Sequence, residues 1–244
     1  MLNASARYEF AKRILDVAGA LIALIFSAPI FIIASLLIKL DGGPVFFRQV
    51  RVGRHGRTFR MLKLRTMVPN AHKMELDLRK NIPENEGYGN VRKFHDPRIT
   101  LAGRALRFTN LDELPQFINI LKGDMSIVGP RPVPLEESYF YGDKRDAVLS
   151  VRPGLTGYWQ IKRRMSTNYE ERIRLDCIYV KKMNLKLDAY ILLMTPISML
   201  TSDYNSVTKS LPPAPTLVDS GTVTTLAKQS TNAKLDETIK DAAA

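Results

Sequence analysis

Asp112 and Glu113 are adjacent carboxylates in the run RFTNLDELPQ (residues 107–116), set among apolar residues of an otherwise basic chain. Arg107 opens that run, and Arg131 follows fifteen residues after Gln116, inside KGDMSIVGPRP (residues 122–132). Paired acids beside arginines suit metal-assisted chemistry on a phosphate. The acids hold a divalent cation, or one of them attacks phosphorus, while guanidinium groups neutralise phosphate oxygens.

The elements that must position these groups also offer a plainer account of them. Leu111, Leu114, Phe117, Ile118 and Leu121 recur at helical spacing. Asn110 is a suitable cap for that helix, with Glu113 at the third position, and acids in a first turn are favoured by the helix dipole. Pro115 lacks an N–H and disturbs a regular helix starting at Leu111, which can turn the first residues toward a cleft. Upstream, residues 44–67 read as two strands, 45–52 and 58–66, joined by the turn cluster Gly53 to Gly56. Side chains alternate along a strand, so Phe59, Met61, Lys63 and Arg65 share a face. Lys63 and Arg65 then form either a solvated basic surface or part of a site.

Residues 17–38 carry no charge. A straight helix of that length is ~33 Å long, enough to cross a hydrocarbon core of about 30 Å. The run is too long for a signal peptide and lacks a small-residue cleavage pattern. Pro29 lies near its middle, where a missing hydrogen bond predicts a kink with arms of roughly 18 and 14 Å, each too short to span. Arg7, Lys12 and Arg13 precede the run; Lys39, Arg48, Arg51, Arg54 and Arg57 follow it. Lys and Arg near membrane ends favour the cytoplasm. Both ends therefore favour one side, and a re-entrant helix bent at Pro29 meets that demand where a spanning helix does not.

The chain has 244 residues, 36 basic against 24 acidic, and a net charge of +12. Residues 201–244 hold four Lys and five acids, so the first 200 residues carry +13. Such a body seeks an anionic partner: nucleic acid, an anionic membrane or phosphorylated substrates. Cys177 is alone, which excludes an intrachain disulfide and a cysteine-based zinc site. No zinc or aromatic RNA-binding motif is present, which argues against nucleic acid. Residues 69–80 read as a short charged helix, 81–90 as a polar loop, 151–160 as a loop with the basic end Lys162, Arg163 and Arg164, and 169–182 as a charged helix. Residues 191–200 are apolar and interrupted by Pro196; they lie on a membrane surface or pack against the body. From Thr201 the composition is that of a disordered or loosely attached tail. The domain reading is 1–42 membrane helix and flanks, 43–200 cytoplasmic catalytic domain with interfacial helices, and 201–244 flexible tail.

Taken in order, KRILD (12–16), Pro29, GPVFF (43–47), KLRTM (63–67), DPRIT (96–100), LDELPQ (111–116), residues 122–132 and VRPGLTG (151–157) make the chain resemble the bacterial sugar transferases, monotopic phosphoglycosyl transferases in their minimal single-domain form. The resemblance covers roughly residues 12–200. It implies a mixed α/β fold, mostly helical with a short β-hairpin, anchored by an N-terminal re-entrant helix at the cytoplasmic face of the bacterial inner membrane. It implies transfer of a sugar 1-phosphate from a UDP-sugar to undecaprenyl phosphate with release of UMP, as a first membrane step of exopolysaccharide or other glycoconjugate assembly. Asp112 is then the nucleophile, and Asp112 with Glu113 holds Mg²⁺. Lys63, Arg65, Arg107, Arg131 and Arg164 are the candidates for substrate phosphates, and Ser27 and Pro29 mark the break in the membrane helix. UDP-sugar, undecaprenyl phosphate and membrane lipid are the implied partners, nucleic acid is not, and a homodimer is left open. The rival class is a basic membrane-associated nucleic-acid-binding or scaffold protein without catalysis. The chain departs from the family pattern at Ser27-Ala28-Pro29, where the family has adjacent Ser-Pro. It departs again at residues 158–164, where Tyr158-Trp159-Gln160 and Lys162-Arg163-Arg164 replace Trp-Ala-Gln and Asn-Gly-Arg.

Overall fold

A computed structural model describes residues 4–71, 73–74, 96–162 and 169–201. The expectations for residues 81–90, for Arg164 and for residues 202–244 lie outside the described residues, as does most of the helix read at 69–80.

The longest element is α1 (Ala4–Leu40). Asp16, Ala20, Ser27, Ala34 and Ile38 are its buried residues, spaced by four and seven, so they form one narrow stripe. The opposite surface is apolar and open: Ile25, Phe26, Ile32, Ile33 and Leu36 are each at least 60% exposed. A continuous face of that kind calls for lipid or a partner. Among the described residues one helix, within Ala6–Leu40, is long and apolar enough to cross a membrane. The helix continues through Pro29, and no break stands where the sequence places the bend. Ser27 Oγ donates to Leu24 O at 3.4 Å, inside the turn where Pro29 removes a backbone donor.

The expected hairpin forms. β1 (Phe46–Val52) pairs antiparallel with β2 (Thr58–Leu64), with Phe47 opposite Lys63 and Arg51 opposite Phe59. His55 and Gly56 take positive φ in the turn. Next in the chain are α2 (Leu101–Phe108), α3 (Gln116–Lys122), β3 (Ser126–Val128), α4 (Leu135–Ser138), α5 (Arg145–Leu149), β4 (Gly154–Thr156), α6 (Tyr158–Lys162), α7 (Tyr169–Lys182) and α8 (Leu185–Thr201). The segment read as a loop at 151–160 contains β4, which pairs parallel with β3. Three-residue strands are too short for side-chain alternation to announce them. α8 runs through Pro196 rather than breaking there. Its apolar residues pack partly on the body, through Ile191, and partly stay open, with Leu193 72% exposed.

The part of the core nearest the acids lies against α1, between it, the hairpin and the following helices. Ala20 meets Met61, Ile120 and Met125; Ala34 and Ile38 meet Leu64 and Leu106. Asp16, buried on α1, accepts from Ser126 Oγ at 3.0 Å and Ile127 N at 2.8 Å, which ties the helix to β3. Close approach is built in at Gly103 on α2. A Cβ there would run into the backbone carbonyl of Thr66, just beyond β2. Gly103→Ala is therefore expected to cost roughly 2–3 kcal/mol by overpacking. That corresponds to a Tm drop on the order of 5–10 °C in a thermal melt.

Candidate active site

The two acids sit on a short irregular turn, not in a regular helix. Leu111–Glu113 is a single 3₁₀ turn, and α3 begins only at Gln116. Asn110 takes a left-handed conformation (φ 56°, ψ 16°) and makes no side-chain cap bond, so the expected capping box does not form. Pro115 precedes the helix proper, where its missing donor is harmless. Asp112 is thereby turned inward, 8% exposed, while Leu111 packs on the cluster of Ala34 and Ile38. The acids are thus one residue from the wall that α1 contributes.

Lys63 of β2 reaches both acids. Its Nζ lies 2.6 Å from Glu113 Oε1 and 3.9 Å from Asp112 Oδ2. Arg107, on the last turn of α2, donates from Nε to Thr66 Oγ1 at 2.8 Å. Burial pushes the Asp112 carboxyl above its ordinary range and Glu113 adds to that, while Lys63 and Arg107 pull it down.

The frame behind the turn is hydrogen-bonded to α3. Asn119 is fully buried and lies against the backbone of β2: its Oδ1 accepts from Leu62 N and its Nδ2 donates to Arg60 O, both at 2.9 Å. This holds β2 against α3 and so holds Lys63 over the acids. At the other end of α3, Arg13 of α1 donates to Ile120 O at 2.6 Å and Leu121 O at 2.9 Å, and Arg152 Nε donates to Gly123 O at 3.0 Å. Cations on terminal carbonyls stabilise a helix end. Asn119, Arg13, Arg152 and Thr66 escape a reading of site residues from sequence alone. The available signals were an Asn among apolar helix positions and the placement of Arg13 in KRILD.

The remaining expected residues divide. Arg65 is buried and turns away to α1, where Nη2 donates to Ile38 O at 2.8 Å. Its Nη1 is buried without a partner among the described residues. Arg131 has no hydrogen bond or ion pair to the acids among the described residues; its guanidinium lies over the Trp159 ring, 5.8 Å from the centroid. Asp96 grips Arg98 with both oxygens, each at 2.8 Å, so DPRIT includes an internal clamp. The hydrogen bonds from Arg98 hold the Asp96 carboxyl below its usual range.

No group of three or more His, Cys, Asp or Glu is gathered among the described residues. Two adjacent carboxylates nevertheless suit Mg²⁺, which commonly keeps waters and binds through one or two acids plus substrate phosphates. The Lys63 ammonium already holds positive charge beside both acids.

Comparison with known proteins gives the family of the chain. The model of the bacterial sugar transferase family matches residues 7–202. The chain is 41% identical over 197 residues to an undecaprenyl-phosphate galactose phosphotransferase of Salmonella typhimurium, covering 80% of this chain and 41% of that protein. It is 42% identical over 187 residues to an exopolysaccharide production protein of Sinorhizobium fredii, covering 75% of this chain and 83% of that one. It is 38% identical over 204 residues to a UDP-glucose:undecaprenyl-phosphate glucose-1-phosphate transferase of Caulobacter vibrioides, covering 80% and 72%. The chain thus spans about two fifths of the length of the Salmonella relative and most of the other two. With 7–202 matched and the paired acids, hairpin lysine and long apolar helix assembled in one body, the chain belongs to the bacterial sugar transferase family.

Proposed function

We propose that this protein transfers a sugar 1-phosphate from a UDP-sugar to undecaprenyl phosphate, through a covalent intermediate on Asp112. The observation that carries the reading is the buried Asp112 under the Lys63 ammonium, next to Glu113 and one residue from the apolar wall of α1. Asp112 attacks the phosphorus that bears the sugar. The Oδ–P bond forms as the P–O bond to UMP breaks, and the electron pair leaves on the UMP phosphate. An oxygen of undecaprenyl phosphate then attacks the same phosphorus, returns the carboxylate and leaves as the lipid diphosphate sugar. Splitting one transfer into two makes each step easier. Asp112 and Glu113 would hold Mg²⁺ together with the diphosphate; the ion supplies charge neutralisation for the departing UMP. Lys63 and Arg107 supply fixed positive charge at the reacting phosphate. The names of the Salmonella and Caulobacter relatives give the same acceptor, and that of the Caulobacter relative gives a UDP-sugar donor. Purified protein with Mg²⁺, undecaprenyl phosphate and a panel of UDP-glucose, UDP-galactose and UDP-N-acetyl sugars is expected to release UMP, and labelled donor alone is expected to mark Asp112. Turnover without any label on Asp112 would reject the covalent step.

The same contacts support a topology for α1. Asp16 near one end of the apolar run is bonded to β3, and Ile38 at the other end packs on Leu64 and Leu106 and is bonded through its carbonyl to Arg65. One charged body therefore holds both ends, and such a body does not enter hydrocarbon. These contacts support a topology with both ends of α1 on one side and the open face in lipid, and the basic residues flanking the run favour the cytoplasmic side. Cysteines introduced at Ala6 and Asp41, with Cys177→Ala, are expected to react with an impermeant reagent from the same side. Reaction from opposite sides would establish a spanning helix.

A further inference from the structure

Phe46 and Phe47 open β1, and both stay exposed, Phe47 by 50%. Open aromatic surface of that kind marks a contact with something outside the fold. Consecutive side chains leave a strand on opposite faces, so the two rings look different ways. Phe46 stands opposite Leu64, and its ring centroid is 6.3 Å from that of Phe31 on α1. Phe47 stands opposite Lys63. Directly paired residues share a face, with Cβ atoms roughly 5 Å apart. Phe47 therefore borders the ammonium that lies 2.6 Å from Glu113 and 3.9 Å from Asp112.

The same end of the hairpin joins the acids to the open face of α1. Phe31, Val45 and Leu111 all pack on the cluster of Ala34, Ile38, Leu64 and Leu106. Leu111 directly precedes Asp112, and Phe31 lies between Ile30 and Ile32, both exposed on α1. An apolar series, Phe47, Phe46 and Phe31, thus leads from Lys63 to the surface read above as facing lipid. A cation at one end and lipid at the other match an amphiphile with a phosphate head and a hydrocarbon chain. Bilayer lipid as such is the competing occupant. Val50 separates the two: it is on the same strand and 57% exposed, yet it pairs with Arg60 and is turned away from Lys63.

We infer that Phe47, Phe46 and Phe31 carry the first isoprene units of the polyprenyl acceptor out of the site, with the acceptor phosphate held at Lys63. This rests on the reading that undecaprenyl phosphate is the acceptor, and it names the side chains that select its chain. The rings take the hydrocarbon next to the head, so the phosphate stays within reach of Asp112 while the rest of the chain remains in lipid. Burial of that hydrocarbon against the rings supplies affinity that a phosphate without an isoprenoid chain cannot gain.

The full chain in phosphatidylcholine nanodiscs is titrated with radiolabelled undecaprenyl phosphate. Phe47→Ala is expected to weaken binding about tenfold, the scale of the contact area lost with one ring. Phe47→Leu is expected to weaken it less, and Val50→Ala to bind like the parent. A Tm matching that of the parent shows that a variant is folded; where Phe47→Ala melts early, Phe47→Leu decides. Excess phosphatidic acid is expected not to displace the label. In turnover, Phe47→Ala is expected to raise KM for undecaprenyl phosphate about tenfold and to leave KM for the UDP-sugar in place. Unaltered affinity in folded Phe47 variants, an equal loss in Val50→Ala, displacement by phosphatidic acid, or a parallel rise of both KM values overturns the inference. Unaltered affinity with UMP still released from a UDP-sugar leaves the transferase reading standing. Weakened binding in Phe47→Ala alone, with no UMP released by the parent from any donor, supports the lipid contact and removes that reading.

Discussion

Asp112→Asn is expected to abolish UMP release, by at least on the order of 10⁴-fold, the scale at which loss of a nucleophile is felt, without weakening the fold at neutral pH. The second half follows from the sign of the titration. Burial raises the Asp112 pKa in the folded protein above the unfolded value of about 3.9. Above the folded pKa the native state carries a buried charge that it accommodates less well than water does. Below the unfolded pKa that penalty is absent, because the group is protonated in both states. Asparagine removes the penalty at pH 7, and Lys63 keeps its contact with Glu113 at 2.6 Å. Thermal melts at pH 7 should therefore show a Tm for the variant equal to or above that of the parent, a trade of stability for chemistry. A variant that still turns over would refute Asp112 as the attacking group, and one that is inactive because it melts early would show a structural role instead.

Lys63→Met is expected to cut kcat/KM at pH 7 by about tenfold to a hundredfold, the effect of one charged contact to a reacting phosphate, and to move the acid limb of the rate profile upward. Asp112 must be ionised to attack. Burial is the largest influence raising its pKa, and Lys63 is the largest opposing it. In the parent, activity falls as pH drops through a pKa already above the ordinary aspartate range. Without the ammonium that pKa rises further, so the limb shifts to higher pH and part of the lost rate returns on alkalinisation. Lys63→Arg keeps the charge and should hold the limb near its original place. An acid limb that does not move in Lys63→Met would show that the lysine does not govern the ionisation of Asp112.

The acids were legible because two adjacent carboxylates in an apolar run of a basic chain are conspicuous. Their setting was not. Asn110 has the composition of a helix cap and instead takes a left-handed turn, because the helix is delayed to Gln116 beyond Pro115. The hairpin was readable from the runs 45–52 and 58–66 flanking a Gly-rich turn, and forms over seven residues of each, whereas β3 and β4 are three residues each and exist only through pairing across 28 residues of chain. Lys63 and Arg65 share strand parity, yet Lys63 reaches the acids and Arg65 reaches Ile38 O. Parity gives the side of a strand, and the end of the strand decides what stands opposite.

Sequence by itself determined the apolar helix, the basic body, the hairpin and the pair of adjacent acids in an apolar run, since each is written in residue type and short-range spacing. Tertiary structure alone decided that α1 rests by a stripe of small and polar residues on the body that carries the acids, that Asn119 and Arg13 fix α3 behind them, and that Arg131 and Arg172, 41 residues apart in the chain, both lie over Trp159. Those outcomes depend on which surfaces meet after collapse, and burial, which sets the pKa of Asp112, is a property of the packed molecule that no local pattern encodes.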